Sequence, residues 1–288
     1  MRLKYILFAL TTLLFVSCKT TPQSDKSIIT VTIEPLRYFT ESIVGDKFDV
    51  ISIVPKGSSP ETYDPTPQQL VNLAQSVAYI KIGYIGFELN WMDRIKSNSP
   101  DLTIYDSSKG INLIHAEGHQ HGDHFHAGGV EPHTWNSTLN AEIMAKNILN
   151  IAVELDSINK EYYEKNYAEL ITKIKKTDEE VRTILANKNS AKGFMIYHPA
   201  LSYFARDYNL EQLSIEHEGK EPTPSHLKNL IEHCQNEKIH VIFIQPEFDQ
   251  KNAEVIAQQT KSNIIKISPL SYDWHEEMIH VANSLIIK

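Results

Sequence analysis

The chain has 288 residues and carries 36 acidic against 28 basic side chains, a formal net charge of −8. That length allows two modest domains. The acidic balance argues against nucleic acid as a partner, because phosphate binding needs a basic face. Only two cysteines occur, Cys18 and Cys234, so stability has to come from packed cores.

The first elements concern location. Arg2 and Lys4 precede an apolar run over 5–16, and Ser17-Cys18 closes it. A positive start, a short apolar stretch and a small residue at the cut read as a secretory signal over 1–17. The run is shorter than the ~20 apolar residues that a spanning helix needs. A cysteine directly after the small residue makes Cys18 the expected lipidation site. Residues 18–27, polar and containing Pro22, then form a tether. The expected location is the cell envelope, on its periplasmic or extracellular face, held to the membrane by N-terminal lipid.

Strand-like and helix-like segments alternate beyond the tether. Segments 28–33 and 50–54 are rich in β-branched residues and read as strands, with a helix over 36–44 ended by Gly45. Thr66-Pro67-Gln68-Gln69 offers an N-cap, a proline in the first turn and a capping-box glutamine. A strand over 77–82, a helix over 87–96 and a strand over 102–105 follow. Next come a histidine-rich loop over 115–129, a helix over 139–155 and a highly charged helix over 159–186. At ~1.5 Å per residue the last would be about 40 Å long. The alternation resumes with strands over 193–197, 212–215, 241–244 and 263–267. Such alternation predicts parallel sheets covered on both faces. The expected architecture is α/β: a first lobe over 28–156, a connecting helix over 157–188 and a second lobe over 189–288, with a cleft between the lobes.

Four segments place chemistry beyond strand ends, where open α/β sheets bind ligands. Glu61 lies in Pro60-Glu61-Thr62-Tyr63-Asp64-Pro65-Thr66-Pro67, His133 in Glu131-Pro132-His133-Thr134-Trp135, His198 in Tyr197-His198-Pro199-Ala200, and Asp273 in Pro269-Leu270-Ser271-Tyr272-Asp273. Two imidazoles and two carboxylates suit a borderline divalent ion such as zinc. Glu247, in Gln245-Pro246-Glu247, is a reserve ligand, and Glu216-His217-Glu218 is a further polar cluster at a strand end. His115, His119, His121, His124 and His126 crowd the glycine-containing loop, which reads as flexible and suited to weak capture of metal ions. Each residue has a plainer reading: His133 and His198 as buried histidines bonded to backbone, Glu61 as a turn residue, Asp273 as the cap of the last helix, and the loop as an inert insertion.

Taken together, the four segments resemble those of the zinc- and manganese-specific solute-binding lipoproteins of ABC importers, over essentially the whole chain from Ile28 onward. The resemblance implies two α/β lobes bridged by one long, fairly rigid helix, with the metal held between them. It also implies partners, the membrane permease and ATPase subunits of an importer, and a chain that acts as a monomer. Relatives of the zinc type often carry a histidine-rich loop at this place. The family's first ligand is normally histidine, and here it is Glu61, so either Glu61 ligates directly or water completes a three-ligand site. Zinc is the expected cargo, with manganese the alternative. A metalloenzyme is disfavoured, since no His-Glu-x-x-His segment occurs and four protein ligands would close the coordination position that catalysis needs. A surface adhesin is the third reading.

Overall fold

The computed structural model describes residues 26–115, 119–121, 124–126, 129–216 and 221–287. The expected signal and Cys18 lie outside the described residues. In the first lobe, β1 (Ile28–Val31), β2 (Asp49–Ser52), β3 (Ala78–Lys81) and β4 (Thr103–Asp106) form a parallel sheet in the order β2-β1-β3-β4. The helices between them are α1 (Glu34–Val44), α2 (Pro67–Ala74) and α3 (Gly86–Asn98). The capping box expected at Thr66 forms, with the Gln69 N–H donating to Thr66 Oγ1 and the Thr66 N–H donating to Gln69 Oε1.

Within the histidine-rich segment, only residues 119–121 and 124–126 and the ends at 115 and 129 are described. Its backbone forms an antiparallel hairpin, β5 (His119–His121) and β6 (His124–His126), with His119 opposite His126 and His121 opposite His124.

Two helices then link the halves, α4 (Thr138–Leu155) and, after a single 3₁₀ turn, α5 (Lys160–Leu185). With 26 residues, α5 is about 39 Å long. It packs on α1 and α4 of the first lobe and on α9 (Trp274–Ser284) of the second. Buried Tyr163, Leu170, Ile174, Thr177 and Val181 form its inward stripe, while Lys–Glu pairs four residues apart line its solvent face.

The second lobe repeats the plan with β7 (Gly193–Ile196), β8 (Glu211–Ser214), β9 (Val241–Ile244) and β10 (Asn263–Lys266) in the order β10-β9-β7-β8, all parallel. Helices α6 (Ser202–Tyr208), α7 (Pro224–Glu237) and α8 (Lys251–Thr260) connect them. One apolar cluster runs from Ile29 and Phe39 through Trp135 and Ile174 to Phe204, Phe243, Trp274 and Leu285, so the two lobes share a core. A smaller cluster around Met195, Ile215, Cys234 and Ile256 serves the second lobe alone. Among the described residues, no helix is long and apolar enough to cross a membrane.

The lobes are also tied by hydrogen bonds. The Trp135 indole N–H donates to the Pro269 carbonyl and the Trp274 indole N–H to the Trp135 carbonyl, each at 2.8 Å. Asn136 donates to the Ala200 carbonyl at 2.8 Å. Buried indoles need such partners, and here the partners fix the segment around His133 against the second lobe.

Candidate metal centre

The carboxyl ends of the strands in both sheets face one cleft, lined among others by Glu61, His133, Trp135, His198, Gln245, Glu247, Phe248, Pro269 and Leu270. Glu61, on the connection from β2 to α2, is placed by close approach to the start of α3. The Gly86 N–H donates to Glu61 Oε2 at 3.1 Å and the Phe87 N–H to the Pro60 carbonyl at 2.8 Å. A helix N-terminus favours an anionic side chain. Gly86 is required for this approach, since a Cβ there would lie 2.5 Å from the Glu61 carbonyl oxygen and 2.8 Å from Oε2. The other carboxylate oxygen, Oε1, is buried and has no hydrogen-bond partner among the described residues.

His133 follows β4 across the hairpin and is 5 % exposed. Its Nδ1 is tied to the Glu131 carboxylate, which also accepts from the His133 main-chain N–H at 3.0 Å and from the Ser202 hydroxyl at 3.1 Å. Tyr203 donates to the Glu131 carbonyl at 2.9 Å, so second-lobe residues hold the carboxylate behind a first-lobe histidine. His198 follows β7, and its Nδ1–H donates to Glu216 Oε1 at 2.8 Å. Gln245 brackets the His198 main chain, accepting its N–H at 3.2 Å and donating to its carbonyl at 2.6 Å. The Phe248 ring stacks on the His198 ring, 4.8 Å between centroids and 17° from parallel.

With both Nδ1 atoms committed to carboxylates, the two Nε2 atoms face each other 3.1 Å apart. Two nitrogens bound to one zinc at ~2.0–2.1 Å in tetrahedral geometry would be separated by about 3.3 Å. Carboxylates behind ligating imidazoles are what metal-binding histidines ordinarily carry, because they fix the tautomer and raise basicity. Ligand atoms of Glu61, His133 and His198 lie within 4.8 Å of one another. Chemically, this is one carboxylate oxygen and two imidazole nitrogens gathered within 4.8 Å of one another. That donor set fits a divalent cation and offers no nucleophile.

Electrostatics follow from this packing. For His133, burial is the largest effect and opposes protonation. The Glu131 charge and hydrogen bond, aided by Glu61 and Glu216, together outweigh it and hold the pKa above the usual histidine value. For Glu131, burial again acts first and upward, while His133 and the Ser202 hydroxyl bring the pKa below the usual carboxylate range. Burial raises the pKa of Glu247 on the cleft wall.

Of the residues expected from sequence, Glu61, His133 and His198 are brought together and Glu247 lines the same cleft, whereas Asp273 is placed elsewhere. After β10 the chain turns at Ser268, whose carbonyl accepts the Ser271 N–H at 2.8 Å. Pro269 and Leu270 therefore face the cleft, and Asp273 emerges exposed beside Lys173, Lys176 and Glu276. The side-chain cap expected of Asp273 at the start of α9 is not formed either; only its carbonyl accepts, from the Glu277 N–H at 3.1 Å. Glu131 and Glu216 were not expected as partners of the histidines. His217 and Glu218 lie outside the described residues, as do the side chains of His119, His121, His124 and His126. His115 begins the loop, bridged to Val130.

Comparison with known proteins agrees with this geometry. The chain matches the family described as zinc-uptake complex component A, periplasmic, over residues 29–285. It is 31 % identical over 246 residues to the high-affinity zinc uptake system protein ZnuA of Bacillus subtilis (strain 168), covering 82 % of this chain and 76 % of that protein. It is 28 % identical over 251 residues to the manganese ABC transporter substrate-binding lipoprotein PsaA of Streptococcus pneumoniae, covering 82 % and 77 %. Among solved structures, a crystal structure of ZnuA superimposes with a TM-score of 0.83 at 34 % identity, covering 91 % of this chain and 98 % of that one. This chain therefore belongs to the periplasmic zinc-uptake component A family, the zinc/manganese solute-binding proteins of ABC metal importers.

Proposed function

We propose that this protein captures one zinc ion in the cleft between its lobes and passes it to the permease of an ABC importer. Kinship supports the broader statement, a binding protein for a divalent metal rather than an enzyme: the relatives are named as uptake-system and substrate-binding proteins, some for zinc and some for manganese. The observation that carries the zinc reading is the pair of Nε2 atoms 3.1 Å apart, in a group with a Glu61 carboxylate oxygen that spans no more than 4.8 Å. Two nitrogens and a carboxylate favour zinc, because manganese stands at the bottom of the affinity order for such sites. The ligands are Glu61, His133 and His198. Asp273, expected from sequence as the fourth, is exposed at the start of α9 and is left out of the set.

The histidine-rich segment supports the same choice, since neutral imidazole is a common ligand of a nitrogen-preferring ion. It supplies weak extra sites and does not set the tight affinity. In this reading Cys18 carries the lipid that keeps the carrier at the membrane face beside its permease. The test is competition at pH 7 with both metals buffered. Zinc should displace manganese from the tight site, and manganese holding that site against equimolar free zinc would assign the carrier to manganese.

A further inference from the structure

The cleft holds three converging ligands, whereas zinc in a closed site takes four. Few lining residues can supply another. Pro269 and Leu270 stand where β10 delivers the chain to the cleft, and neither side chain has a donor atom. The Gln245 amide is committed at both ends to the His198 main chain. Ser59 Oγ accepts the Glu61 N–H at 3.3 Å. Glu247 differs from all of these. It is half-buried on the cleft wall, close enough to His198 for the two side chains to interact electrostatically.

The turn that carries Glu247 is held against the site. Gln245 before it brackets the His198 main chain, and Phe248 after it stacks on the His198 ring and donates its N–H to the Gln245 carbonyl at 3.3 Å. The backbone of Glu247 is thus fixed beside a ligand. Its carboxylate stands outside the group of three atoms that already converge, so reaching the ion requires a rotation of the side chain.

We infer that Glu247 is the fourth ligand of the cargo ion, swinging from the β9–α8 turn onto the metal as it seats between Glu61, His133 and His198. The inference rests on the carrier site proposed above. It makes the donor set two imidazoles and two carboxylates, with both second-lobe donors, His198 and Glu247, interlocked through Gln245 and Phe248.

The experiment compares the wild-type chain with Glu247→Gln and His133→Ala. Zinc affinity is measured at pH 7 by competition with a chromophoric chelator, and the visible spectrum of each cobalt-loaded protein reports coordination. Ion-free melting curves check the fold, and Glu247→Ala replaces the glutamine variant if that one is unfolded. Glu247→Gln should lose about tenfold or more in zinc affinity and shift its cobalt bands, while His133→Ala loses far more. Affinity within twofold of wild type, or unshifted cobalt bands, in the Glu247 variant overturns the role of Glu247 and leaves the carrier site standing. Wild-type affinity in His133→Ala overturns the site itself.

Discussion

His133 Nε2 and His198 Nε2, from opposite lobes and separated by 65 residues in the chain, lie 3.1 Å apart. Each is held in place from behind by a carboxylate, Glu131 for the first and Glu216 for the second. Two imidazoles this close repel unless a proton or a metal ion sits between them. The relationship depends on the register of the whole molecule, because the shared core and the Trp135–Pro269 and Trp274–Trp135 hydrogen bonds fix one lobe against the other.

Replacing either histidine with alanine should therefore remove tight zinc binding, by orders of magnitude, and leave the fold intact. His133→Ala also leaves the buried Glu131 carboxylate short of a partner, which should cost about 1–3 kcal/mol of ion-free stability. Titration calorimetry with circular dichroism checks both statements. Retention of stoichiometric tight zinc by the double variant would move the site elsewhere.

The carboxylates behind the histidines have a separate signature. Glu131→Gln and Glu216→Gln keep an acceptor but lose the charge, and each should weaken binding by about 10- to 100-fold. Glu131 also works through protons. It raises the pKa of His133 despite burial, and a raised value lets protons compete with metal at higher pH. Glu131→Gln should therefore show a shallower fall in zinc affinity between pH 8 and pH 6, from a weaker starting point. For the ion-free protein the sign is the reverse: stability from protonated His133 is present below its unfolded pKa and is lost as pH rises through the raised folded value. An equally steep fall in the variant would contradict this assignment.

How much of this was readable from the chain differs by residue. The β-branched runs announced the strands, and Thr66-Pro67 with Gln69 announced a helix start, because both signals are local. The positions of Glu61, His133 and His198 at strand ends were equally local. Glu216 was not readable as a partner of His198, since that depends on β8 pairing with β7 so that Ser214 stands opposite Ile196. Once the register is known, two residues further along each strand bring Glu216 beside His198. Asp273 misleads for the complementary reason. It lies beyond the last strand as a ligand would, but the turn at Ser268 sends Pro269 and Leu270 into the cleft and carries Asp273 out of it.

A buried acid away from the ion makes a further prediction. Glu88 is 1 % exposed and accepts hydrogen bonds from the Ile82 N–H at 2.8 Å, the Gly83 N–H and the Thr32 hydroxyl. Burial pushes its pKa from 4.5 to about 7, against the opposing pull of those bonds and of Lys81. Between those two values the folded chain holds a proton that the unfolded chain has released, so stability falls as pH rises through this window and levels off above it. Melting temperatures of the ion-free protein should decline from pH 5 to pH 7.5 more steeply in wild type than in Glu88→Gln. Parallel curves would show that Glu88 ionises normally.

Deletion of residues 115–129 separates the hairpin from the cleft. Calorimetric zinc titration should lose its weak phase and keep the tight one. An unchanged stoichiometry would make the hairpin an inert insertion.

The most direct test of the carrier site is crystallographic. Crystals grown with one equivalent of zinc, measured on either side of the zinc absorption edge, should show a single strong anomalous peak about 2 Å from His133 Nε2, His198 Nε2 and a Glu61 carboxylate oxygen. A cleft without a peak, with zinc bound only at the histidine-rich hairpin or beside Asp273, would contradict the account.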